Sequence, residues 1–173
     1  MKVESFKIDF WEQPQTGVVL SENSDWILVK HIPADYVLDG YKLFRKEFVL
    51  KRINSAKEKQ IERVLKLRKI EIDMPVDFEF LDTIGVLKWS QDKFGLFEFQ
   101  DEYETELFYG RINVVEGNDL IIDSIDTKGK VEEAYDFPFQ IDEITTIAFQ
   151  SDYFESIRAL WMHKNKINFK PTP

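Results

Sequence analysis

Two histidines, His31 and His163, are the only imidazoles in this chain of 173 residues. They stand far apart, and neither has a second His or Cys at metal-ligand spacing. No partner that would orient either one as a base is legible, so both read as semi-buried polar residues. Carboxylates are plentiful. Asp101, Glu102, Glu104 and Glu106 crowd one stretch, and oxygen ligands of that kind suit a hard cation. The stretch lacks EF-hand spacing and an internal Gly, so it reads as a solvated acidic hairpin, as do Glu132, Glu133 and Asp136. Cysteine is absent, which excludes disulfides and thiol chemistry. There is no Gly-rich phosphate loop and no nucleophile elbow. The expectation is a protein that is not an enzyme, with no metal and no cofactor.

The residues suited to binding fall in two places. The loop from Asp35 to Tyr41 holds Tyr36, Asp39 and Tyr41 close to His31. Tyrosine combines a large apolar face with a polar tip, which suits an interface. The plainer reading is a turn whose rings cover a barrel mouth. The second place is the segment from Lys42 to Lys69, with eleven Lys and Arg against three acids. Arg45, Arg52, Arg63 and Lys66 are its candidate contacts. From Glu71 to Glu155 the balance reverses, with twenty-two acids against five Lys and Arg, and the whole chain carries −9. Such asymmetry can mark a partner surface. Alternatively, the basic helix docks on the acidic part of its own chain. Phosphate binding scales with neutralised charge, but the acidic remainder would repel a polyanion within a Debye length of about 8–10 Å. Stacking aromatics are also missing from that face, since Phe44 and Phe48 fit a core better.

The elements that must position these residues follow from periodicity. Strands are expected at 3–11, 17–20, 26–32, 41–44 and 48–53. Ser55 to Glu58 has the form of a capping box, opening a helix at about 55–69 with Ile61, Val64 and Leu65 on one side. Residues 71–77 form a linker, and Met74-Pro75 does not continue a helix. A helix is expected over 78–92, weakened by Gly85. Strands follow at 94–102, 106–115, 120–126, 134–140 and 144–150. Ser151 then caps a final helix to Lys164, and the tail from Ile167 to Pro173 frays. The N-terminal charges interrupt any apolar run, so no signal peptide is expected. No window approaches a membrane span of roughly 18 apolar residues, and cytoplasm is the default location. Trp26 and Ile121 are expected in the core.

The second set of elements repeats the first. Gly17 aligns with Gly110, Asp25 to Leu28 with Asp119 to Ile122, and Tyr41 to Leu43 with Tyr135 to Phe137. Ser55, Ile61, Val64 and Leu65 align with Ser151, Ile157, Leu160 and Trp161. A repeat of this kind governs the fold. The runs Gly110 to Val115, Asp119 to Ile122, Ile144 to Phe149 and Leu38 to Arg45 resemble uncharacterised bacterial proteins with Sm-like or SH3-like small barrels. The resemblance implies a mainly β fold with α: two five-stranded barrels in tandem, each followed by an amphipathic helix, with a further helix between. The units would span 1–70 and 79–173, with 71–78 as linker. Fold does not fix function. The expected function is binding to another protein, of which an acidic immunity or inhibitor type is one version. The alternative is RNA or single-stranded nucleic-acid binding through 42–69, which net charge disfavours.

Overall fold

The structure is a computed structural model and describes residues 1–167. In chain order the elements are β1 (Val3–Ile8), β2 (Gln15–Glu22), β3 (Trp26–Ile32), β4 (Tyr41–Arg45), β5 (Val49–Ile53) and α1 (Ala56–Leu67). There follow α2 (Thr83–Phe94), β6 (Phe97–Gln100), β7 (Phe108–Glu116), β8 (Asp119–Ile125), β9 (Val131–Glu132), β10 (Phe139–Gln140), β11 (Thr146–Phe149) and α3 (Asp152–Lys164). A single 3-10 turn stands between β4 and β5, and another between β10 and β11.

All eleven strands belong to one antiparallel sheet, in the order β10-β8-β7-β6-β11-β4-β3-β2-β1-β5, with β9 beside β8. Two closed barrels were expected; the sheet is instead continuous and not closed. Its middle is the pairing of β4 with β11, where Tyr41 faces Phe149 and Phe44 faces Thr146. In the first half the order runs β4-β3-β2-β1-β5, and in the second β10-β8-β7-β6-β11. Gly17 in β2 and Gly110 in β7 hold matching places. A Cβ on Gly17 would come 2.5 Å from Val29 Cγ2, and one on Gly110 2.7 Å from the Asp123 carbonyl oxygen.

Strands β3 and β4 are buried on both faces; β3 has the near-continuous apolar sequence that suits this, whereas β4 buries Lys42 among its apolar residues. Trp26, Leu28 and Leu43 join the main core with Phe97, Phe99 and Phe149, under Val86 and Leu87 of α2 and Phe154, Ile157 and Trp161 of α3. Ile27, Val29 and Phe44, on the other face, pack with Phe6, Ile8 and Trp11. Ile61 and Leu65 of α1 close a third cluster with Val3, Val18 and Ile32.

Several boundaries differ from expectation for physical reasons. Helix α2 starts at Thr83, where the Asp82 carboxylate accepts from the Gly85 N–H at 2.7 Å. Phe78 and Phe80, expected within the helix, precede it, and the Phe78 ring packs edge-on to Trp89 at 5.1 Å. Residues 134–138 are not strand, and only Phe139–Gln140 pairs with β8. A register irregularity between Ile112 and Val114 shifts the β7–β8 pairing. Ile122, fully buried, is the core residue there, whereas Ile121 is half-buried. Apart from Ile167, the expected tail lies outside the described residues.

Candidate functional site

Two regions gather polar side chains in ways that packing alone does not require. The first is the outward surface of α1. The capping box forms as the sequence implies, with the Ser55 N–H donating to Glu58 Oε2 at 2.7 Å. Glu58 is also turned inward, where the Ser5 hydroxyl donates to its other oxygen at 2.7 Å. Those hydrogen bonds outweigh burial and hold its carboxyl down at about 2. Glu62 likewise turns toward β1 and accepts from the Val3 N–H at 2.9 Å. Both acids of the helix are thus engaged on its inner side, while Lys57, Lys59, Arg63 and Lys66 are exposed. Arg68 and Lys69, just past its end, are exposed too. Among the described residues none of these six cations forms an ion pair. The helix packs on β1, so the expected alternative of docking on the acidic second half is not what the chain does.

Of the other cations of the segment, Lys51 is exposed, and Lys42, Arg45, Lys46 and Arg52 are engaged. Arg52 pairs with Glu4 at 2.6 Å and with Glu22 at 2.9 Å. Lys46 pairs with Glu22 at 2.8 Å. Arg45 donates to the Asp142 and Ile141 carbonyls and to the Thr83 hydroxyl, and lies over the Trp26 ring. It lines an open cleft of about 560 Å³, together with Asp25, Lys46 and Asp82. Of the expected loop residues, Asp39 and Tyr41 line one cavity with His31, and Tyr36 does not. Tyr36 OH accepts from Gln60 Nε2 of α1 at 2.8 Å. Tyr41 stacks on Phe149 in the main core, with its OH donating to the Asp73 carbonyl at 3.2 Å. Asp39 accepts from the Asp152 N–H at 2.8 Å, at the start of α3. Of the acidic hairpin, Glu104 accepts from the Glu12 and Gln13 N–H groups. His163 is exposed on α3.

The second region lies where the two halves of the sheet meet. Register sets Val29, Lys42, Ala148, Glu98 and Tyr109 side by side on five successive strands. Directly opposed residues share a face, so this row projects from the side away from Leu43, Ile147 and Phe99. Lys42 is 6% exposed and Glu98 5%. Lys42 Nζ donates to Gln100 Oε1 at 2.7 Å, and the Trp11 ring lies 5.4 Å from it. Tyr109 OH donates to Glu98 Oε2 at 2.7 Å. Among the described residues no carboxylate lies within 4.0 Å of Lys42 Nζ. Burial lowers the Lys42 ammonium to about 8, against the opposing pull of Glu98 and Glu104. Burial raises Glu98, opposed by Tyr109 and Lys42. Burial and the Glu98 charge push the Tyr109 phenol up.

A cavity of about 250 Å³ opens onto this row, walled by His31, Asp39, Lys42, Glu98, Tyr109 and Tyr153, with Leu107 and Ala148 as apolar lining. Burial, then the charge of Lys42, lower His31 to about 3. Its Nε2 is sealed from solvent and has no hydrogen-bond partner among the described residues. Asp39 and Tyr41, expected as binding residues, line this cavity beside His31; Lys42, Glu98, Gln100 and Tyr109 were not among the expected site residues. The available signal was a Lys, a Glu and a Gln alternating with large apolar residues in Tyr41 to Phe44 and Phe97 to Gln100. That pattern reads as a solvated strand face until β11 joins the two strands.

Compared with protein-family models, curated proteins and solved structures, the chain matches none.

Proposed function

We propose that this protein is a non-enzymatic binding module of two tandem Sm-like units that docks through α1 onto an acidic surface of another protein. The tandem reading is supported by the like strand orders of the two halves, by Gly17 and Gly110 at matching places, and by Ser-capped helices after β5 and β11. The docking reading rests on one observation: α1 turns both of its acids inward and leaves its cations outward and unpaired. Exposed cations on a rigid element steer an acidic partner and fix its register. The half from Glu71 to Glu155 carries the opposite charge, which orients the approach by repelling the same partner elsewhere. Nucleic acid is the second reading. It lacks stacking rings beside α1, since Phe44 is buried in a core cluster and Phe48 packs against it.

The test is affinity capture from lysate at low salt, with and without ribonuclease, using the whole chain and its Lys59→Glu/Arg63→Glu/Lys66→Glu variant. Acidic proteins retained by the parent but not by the variant, and indifferent to ribonuclease, are the expected result. Capture that disappears with ribonuclease moves the assignment to RNA. Recovery of the bait alone removes the docking reading.

A further inference from the structure

The polar row at the junction carries a burden that docking through α1 does not use. A buried ammonium needs a counter-charge or a full set of acceptors. Lys42 has three N–H donors, and among the described residues one hydrogen bond, to the neutral Gln100. The nearest acid in the row, Glu98, is biased by burial toward its neutral form and already accepts from Tyr109. Asp39, also at the cavity, is engaged by the backbone N–H of Asp152. The unmet N–H donors of Lys42 therefore favour an anionic acceptor. The cation's charge reaches His31 across the cavity, whose imidazole it helps keep neutral.

The dimensions narrow the class. About 250 Å³ falls below the usual range of roughly 300–1,000 Å³ for drug-sized ligands. Ala148 sits between Lys42 and Glu98 on the central strand, and its small side chain leaves the space open. Leu107 and the Tyr153 ring give the remaining wall an apolar character. A phosphate would find few donors there, and a metal ion would meet the Lys42 charge.

We propose that this cavity binds a small monocarboxylate, with its carboxylate taken by Lys42 and its short aliphatic chain laid against Leu107, Ala148 and Tyr153. No covalent step is involved, and the inference stands independently of α1.

Butyrate is the probe, with butylamine as its charge-reversed match. At neutral pH, butyrate raises the melting temperature of the whole chain and binds saturably by calorimetry, while butylamine does neither. Lys42→Met weakens butyrate binding by about tenfold or more, the scale of one charge-assisted contact. Ala148→Leu, which keeps the amine and fills the space, weakens it as well. Equal binding of butylamine, absence of any butyrate effect, or undiminished binding by either folded variant overturns the proposal.

Discussion

Lys66 and Lys42 are the same side chain in opposite settings. Lys66 stands in water on α1 beside cations like itself. Lys42 sits at the seam between the two halves of the sheet, 6% exposed, with the neutral Gln100 as its acceptor. The first costs the fold almost nothing, so many such residues can be displayed for a partner. The second is a charge the fold must carry at a loss. A local rule broken in this way marks a place where stability has given way to something else. The two regions therefore teach different things: the helix shows where a partner can be met, and the seam shows where the interior is kept polar.

The sharpest test of the contrast lies on one strand. Leu43, fully buried on the opposite face of β4, should lose about 2–5 kcal/mol on Leu43→Ala, measured by urea unfolding. Next in size, Lys42→Met should stabilise by about 1–3 kcal/mol at pH 7. A fall from the usual 10.5 to about 8 corresponds to about 3 kcal/mol of penalty, less the bond lost to Gln100. Destabilisation by this variant would erase the contrast.

The same penalty has a pH signature. Between about 8 and 10.5 the unfolded chain holds a proton that folded Lys42 has released, so stability rises with pH across that window. Tyr41 and Tyr109 are raised when folded and oppose the gain above 10. The difference between wild type and Lys42→Met in urea titrations isolates the lysine, and a flat difference would contradict its burial. On the acid side His31 is lowered to about 3. Its contribution is present above the unfolded value near 6.5 and is lost as pH falls toward 3. The smallest effect belongs to the helix. Arg63→Glu with Lys66→Glu should change stability by no more than about 0.5 kcal/mol, as exposed sites usually do. A larger loss would mean α1 is held by contacts its exposure does not reveal.

What was legible in the sequence was local. The capping box at Ser55, the Ser151 cap and strands β3 and β4 are decided within a few residues and appear where the pattern puts them, whereas the strand expected over 3–11 ends at Ile8 and leaves Phe10 exposed with a positive φ. The features that escaped need distant partners. Phe78 and Phe80 fall in the stretch expected as helix, but the ring contacts of Phe78 with Trp89 and Phe149 hold it outside the helix. The Ile121 and Ile122 assignment turned on the irregularity in β7. Lys42 and Glu98 become neighbours only because Ala148 lies between them. No local periodicity announces a strand that completes another strand's face.

That central pairing also governs how the chain can mature. Phe44 meets Thr146 and Tyr41 meets Phe149, so about a hundred residues of polypeptide separate the partners. At a synthesis rate of roughly 5–20 residues per second, the β4 edge emerges about 5–20 s before β11 exists. A nascent chain therefore shows a bare hydrogen-bonding edge to the crowded cell throughout that interval, and ribosome pausing between the two segments would lengthen its exposure to chaperones and to other nascent strands.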